Sequence, residues 1–176
     1  MKIIDLSTPI YDKMPVFPGD PDVLVTDIDQ DIEGNPWYMH QLQLCTHDAT
    51  HLNVPRHIKE DGKTLDDYDL SAFCGDAVLF ESEADMQAGV GVIFDAEHEF
   101  TMELGKVAVE KQVTFVGLAT EFDLDVERYT LDKGLISYER LVNTDQLPKN
   151  FQFFGMPLPI KASNGSPVRA FAVVPS

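Results

Sequence analysis

The chain is poor in cysteine, in basic side chains and in long apolar runs, and each shortage excludes something. Two cysteines, Cys45 and Cys74, occur in 176 residues. They share no Cys-x-x-Cys spacing, which excludes a disulfide framework or a thiolate metal site and suits free, buried thiols in a reducing compartment. Lysine and arginine number 13 against 30 aspartates and glutamates, for a net charge of −17. That balance repels phosphate backbones and anionic membranes, so neither nucleic acid nor a membrane is an expected partner. No stretch approaches the roughly 18 apolar residues of a membrane span. The opening Met1-Lys2-Ile3-Ile4-Asp5 reaches charge before any apolar run of signal-peptide length. The expectation is a cytoplasmic protein. No low-complexity block, repeat or linker interrupts the chain, and its length suits one domain over residues 1–176 with a proper core.

What is plentiful is histidine in one place. Of five histidines, His40, His47, His51 and His57 fall within eighteen residues and only His98 lies elsewhere. The run His47-Asp48-Ala49-Thr50-His51-Leu52-Asn53-Val54-Pro55-Arg56-His57 places imidazoles and an amide at alternate positions. In an extended chain alternate residues share a face, so His47, Ala49, His51, Asn53 and His57 would point together and could reach one cation. A helix fits worse, because Pro55 would break it and Asn53 and His57 would turn away. The same spacing would also suit strand histidines that face water or are satisfied in a core. By parity His40 lies with Leu42 and Leu44, away from His47, and reads as structural.

The run resembles the signature His-x-Gly-Thr-His-x-Asp-x-Pro-x-His of the metal-dependent cyclase-like hydrolases, which include bacterial kynurenine formamidase and isatin hydrolase. His47, Thr50, His51, Pro55 and His57 match, while Ala49 stands for the glycine and Asn53 for the aspartate. The resemblance extends over nearly the whole chain. It takes in Val16-Phe17-Pro18-Gly19-Asp20-Pro21, Glu139-Arg140-Leu141-Val142-Asn143 and Gly165-Ser166-Pro167-Val168-Arg169-Ala170, with an internal shortening after Phe94. It implies an α/β fold of the swivelling β/β/α type, strand-rich, in a divergent and shortened member that assembles as a dimer or tetramer.

Strand and helix signals agree with a strand-rich α/β chain. Strands are predicted over 2–7, 76–81, 90–94, 113–118 and 135–138, and a hairpin joins 22–29 to 37–45 through Glu33-Gly34. Helices are predicted over 101–111 and 125–133, with a short helical or irregular cover from Leu65 to Phe73. Strands 151–160 and 168–174 should close the chain as a hairpin turned by Ser163-Asn164-Gly165-Ser166-Pro167.

For the site, the resemblance implies that His47, His51, the residue at 53 and Glu139 bind metal, that His57 transfers protons, and that Phe17 walls a substrate pocket. Counting twelve residues back from Glu139 reaches Glu127, where the family has a further metal-binding histidine. Glu121, Asp123 and Asp125 are the alternatives, and Glu127 could also be a solvated helix residue. A set of His47, His51, Asn53, Glu127 and Glu139 carries −2, as the family's does. Imidazoles with oxygen donors suit one or two divalent cations, zinc foremost, with manganese or iron also accommodated. Ala119 and Phe122, standing where the family has polar residues, make one pocket wall less polar. The implied activity is hydrolysis of an amide, formamide, lactam or lactone of a small-molecule substrate by a metal-activated water. The alternative is a catalytically lapsed member that keeps the fold and binds a metal, a small ligand or a protein partner.

Overall fold

A computed structural model describes residues 1–175. In chain order, β1 is Lys2–Asp5, β2 Leu24–Asp27, β3 Gln30–Ile32, β4 Asn35–Trp37, β5 His40–Gln43, β6 His51–Asn53, β7 Cys74–Leu79 and β8 Gly91–Phe94. Then follow helix α1 (Met102–Glu110), β9 (Phe115–Leu118), helix α2 (Leu124–Asp132), β10 (Ile136–Glu139), β11 (Asn150–Phe154), β12 (Gly165–Pro167) and β13 (Phe171–Val174). Nine strands form one sheet in the order β1-β13-β11-β7-β8-β9-β10-β6-β12. Its centre, β7 to β10, is parallel, and both flanks are antiparallel. A bridge between Ser7 and Leu141 ties the extension of β1 to that of β10, so the sheet curls back on itself. The expected α/β, strand-rich fold of the swivelling β/β/α type is the one present.

Both helices form close to where they are predicted. Thr101 caps α1 by accepting from the Leu104 amide, and Asp123 caps α2 by accepting from the amides of Asp125 and Val126. Gly134, with φ +87°, ends α2 in the left-handed conformation that glycine adopts freely. The two helices cross over between parallel strands and cover one face of the sheet.

Alternate strand residues enter opposite cores. Phe115 of β9 joins Leu52, Tyr138 and Phe153 on one face, while Val116 and Leu118 join Phe94, Phe122 and Val126 beneath the helices. Tyr138 is fully buried, and its hydroxyl donates to the Gly155 carbonyl at 3.1 Å. The same alternation decides the site. Leu52 and Tyr138 face the first core, so His51 and Asn53 of β6 and Ser137 and Glu139 of β10 all face the other way.

Two expectations need correction. The histidine run is not one extended strand: only His51–Asn53 is, because Ala49 at φ +56° turns the chain before it and Pro55 opens a 3-10 turn over Pro55–His57 after it. The closing hairpin is also different. β11 and β13 pair as expected, but Gly165–Pro167, read as a turn, is itself a strand that pairs with β6 at the far end of the sheet. The turn-rich composition misled because a cross-strand ladder supplied by tertiary structure overrode it. Elsewhere the 22–43 hairpin forms around Glu33 and Gly34, both at positive φ. The cover between Leu65 and Phe73 consists of two 3-10 turns. No helix among the described residues is long and apolar enough to cross a membrane.

Candidate active site

Register builds the site. Glu139 lies opposite His51, and Ser137 opposite Asn53. On the other side of β6, Gly165 is opposite Asn53 and Pro167 opposite His51. A Cβ on Gly165 would stand 2.6 Å from His47 Cε1, so the missing side chain makes the space that the His47 ring fills. The left-handed conformation at Ala49 aims the turn from residue 46 to residue 50 so that His47 folds back over β6. An L side chain there costs about 1–2 kcal/mol, which accounts for the glycine in the signature that this stretch resembles.

The three histidines of the run meet. His47 packs edge-on to His51 with ring centroids 5.4 Å apart and against His57 at 3.9 Å. His51 Nδ1 donates to the Ala49 carbonyl at 3.0 Å, because a carbonyl can only accept. Its Nε2 then faces Glu139 Oε2 at 3.0 Å, and two lone pairs at that distance require a proton or a cation between them. His47 Nδ1 similarly bonds Asn53 Oδ1 at 2.6 Å, since the amide nitrogen of Asn53 donates to Glu127 Oε1, also at 2.6 Å. This leaves His47 Nε2 buried without a partner. A buried, unpaired ring nitrogen is costly, and it marks a position for a ligand.

The carboxylates differ in state. Glu139 Oε1 accepts from the Phe122 amide at 2.7 Å. Burial alone would raise its pKa, but the bonds from His51 and Phe122, with the charges of His51 and Arg140, hold it below the usual value. Glu127 accepts from Asn53 and from Ser137 Oγ, yet burial and then the charge of Glu139 push it up to about 7. Burial lowers His47 to about 4, helped by the charges of His57 and His51. His57 remains exposed as a residue, but desolvation of its ring and the charge of His51 lower it as well.

These groups open onto a cavity of about 510 Å³ with Phe17, Phe122 and Leu124 as its apolar wall. That size suits a small-molecule ligand. It lies at the carboxyl ends of parallel strands β9 and β10, where open α/β sheets present ligand sites. A second hollow of about 460 Å³ around Lys149 contains no histidine. Of the alternatives to Glu127, Glu121 pairs with Arg140 and Asp123 caps α2, whereas Glu127 bonds Asn53. His40 pairs with Asp27 on the exposed hairpin and His98 with Asp95, both away from the cavity. Sequence reading passed over Ser137 and Arg140, of which strand parity with Glu139 could have found Ser137; Cys45, which by parity shares the face of His47, does line the cavity.

The described residues contain no ready-made group of three or more histidine, cysteine, aspartate or glutamate side chains able to hold a metal ion. What the site offers is the unpartnered His47 Nε2, His51 Nε2 facing the Glu139 carboxylate, and ring orientations fixed by the bonds at both Nδ1 atoms. In donor type, two imidazoles and a carboxylate fit a divalent cation.

The family profile described as "Putative cyclase" matches residues 4–130. The chain belongs to this cyclase family. It is similar to a kynurenine formamidase from Salinibacter ruber (strain DSM 13855 / M31), 26% identical with 97% of this chain and 96% of that protein covered. That alignment runs over 205 positions, more than the 176 residues here, so it opens gaps in this cyclase-family chain. Among solved structures it resembles an isatin hydrolase bound to the product analogue thioisatinate, with TM-score 0.81, 18% identity, and 99% and 93% of the two chains covered. It also resembles a structure described as a potential metal-dependent hydrolase with cyclase activity, with TM-score 0.76, 22% identity, and 97% and 96% covered. At such identities the two structures share the fold.

Proposed function

We propose that this protein is a metal-dependent hydrolase of an amide, formamide, lactam or lactone bond in a small molecule. One observation carries the reading: His51, its Nδ1 committed to a carbonyl, turns Nε2 to a carboxylate at 3.0 Å beside the orphaned Nε2 of His47, inside a ligand-sized cavity. His47, His51 and Glu139 would hold the cation, and Asn53 and Glu127 stand behind His47 and fix its ring. Zinc suits two nitrogens and an oxygen, and manganese or iron would be accommodated. When bound, such an ion supplies a water of lowered pKa and polarises the carbonyl under attack.

The chain's own residues supply the rest. His57, packed on His47 and lining the cavity, would accept a proton and return it to the leaving group. Phe17, Phe122 and Leu124 exclude water from one side and receive an apolar or aromatic body. The alternative of a lapsed member finds no support among the relatives, whose names are those of hydrolases. The test is hydrolysis of a formamide and lactam panel by zinc- or manganese-loaded protein, with and without His57→Asn. Loss of a general acid/base lowers turnover by roughly 10²–10⁴-fold while metal content stays the same. Loss of metal along with turnover would make His57 a ligand instead.

A further inference from the structure

Arg140 is the only arginine or lysine among the described residues that line the cavity, in a chain of net charge −17. It follows Glu139 directly and has φ +57°, a conformation that L side chains rarely adopt outside sites where the surroundings impose it. Two hydroxyls impose it. Thr50 Oγ1 donates to the Arg140 carbonyl at 2.6 Å and Thr8 Oγ1 at 3.0 Å, while the Arg140 amide donates to the Thr120 carbonyl at 3.2 Å. Thr50 belongs to the histidine run, so the segment that carries the imidazoles also sets this backbone.

The guanidinium is half used. Nε and Nη2 both reach Glu121 Oε1, at 3.0 and 2.5 Å, and among the described residues Nη1 has no hydrogen-bond partner. The side chain is about one-fifth exposed, so the head group is fixed but open on the cavity side. An arginine held in this way presents a planar pair of N–H donors to an incoming carboxylate. Asp20, Glu121 and Glu139 line the same cavity, so apart from Arg140 and the cation of the proposed site the lining disfavours an anion.

We propose that Arg140 is the specificity-determining residue of this site and binds an anionic group, a carboxylate, on the substrate. The substrate class is thus a small apolar or aromatic amide or lactam that carries a carboxylate away from the bond cleaved. This rests on the hydrolase reading, and the test separates the two. Metal-loaded native protein, Arg140→Asn, Arg140→Lys and Glu121→Gln are assayed on 2-formamidobenzoate and on formanilide, which differ by the carboxylate alone. Asparagine tolerates the left-handed backbone, so the variant should fold, and circular dichroism checks this.

The ratio of kcat/KM for the anionic over the neutral formamide should fall roughly tenfold to a hundredfold in Arg140→Asn, mainly through KM, with partial recovery in Arg140→Lys. Glu121→Gln should not lower that ratio. An unchanged ratio in Arg140→Asn, or an equal fall in Glu121→Gln, which would mark the ion pair as a purely structural tie, overturns the proposal. If neither formamide is hydrolysed, the hydrolase reading falls on these substrates and binding decides. Calorimetry should then show benzoate, but not benzamide, bound more weakly by Arg140→Asn than by native protein. Equal benzoate binding by both, or none by native protein, overturns it.

Discussion

Glu127→Gln should change how the stability of the metal-free protein depends on pH, and the size of the change follows from the two perturbed groups linked through Asn53. Glu127 titrates at about 7 in the folded chain against 4.5 ordinarily. Between those values the folded state keeps a proton that the unfolded state has released. Stability from this group is therefore fully present below pH 4.5 and is lost as pH rises to 7, at about 1.4 kcal/mol per pH unit and about 3 kcal/mol in all. His47 behaves oppositely. Its folded value of about 4 lies below the ordinary 6.5, so its contribution is present above pH 6.5 and is lost as pH falls toward 4. Between pH 4.5 and 6.5 the two slopes cancel in the native chain. Glutamine keeps an oxygen acceptor for Asn53 and Ser137 but cannot ionise, so it unmasks the rising slope of His47. Urea titrations of chelator-treated protein from pH 4.5 to 8, followed by circular dichroism, should give a native-minus-variant difference that grows to about 3 kcal/mol by pH 7 and then levels. For a chain of this size that corresponds to roughly 6–12 °C in Tm. A difference independent of pH would refute the reasoning, since it would mean that Glu127 ionises in the folded state as it does in water.

Replacing His47 and His51 together by alanine should abolish retention of a divalent cation, measured by elemental analysis of protein purified without chelator; stoichiometric metal in the double variant would show that the imidazoles are not ligands. Gly165→Ala should destabilise the fold by about 1–3 kcal/mol and displace His47, because the new methyl meets both that ring and the Leu52 carbonyl at 2.6 Å; an unchanged urea midpoint would contradict this packing.

Where the site could be read in the sequence, chemistry and local spacing coincided. His47, His51 and His57 do converge, and Glu139 does end a strand beside them, because a histidine run and a carboxylate after an apolar strand are visible without tertiary information. The helices were legible for the same reason, from the apolar spacing over 101–111, the acidic start of 125–133 and the stop at Gly134, while the caps at Thr101 and Asp123 emerge from the structure. What was hidden depends on partners far along the chain. Nothing local says that Ala49 takes a left-handed conformation, since alanine there conceals what glycine would announce. Ser163 to Pro167 has the composition of a turn, and only pairing with β6 makes Gly165–Pro167 a strand. Arg140 looks like an ordinary surface residue until the fold places it beside the cavity and two threonines set its backbone.

The position of β6 in the sheet also orders events in time. Its two neighbours, β10 and β12, are made long after it, with β12 ending at Pro167. Closing contacts across so much sequence is slow and costs loop entropy that nearby contacts do not. During synthesis the histidine run must therefore wait, without its carboxylate or its flanking strand, until Pro167 has been made. An unfinished chain would carry the imidazoles but have no Gly165 gap to seat His47 and, before residue 139, no carboxylate opposite His51. Competence at the site thus waits on β10 and β12, two strands made well after the histidine run they flank.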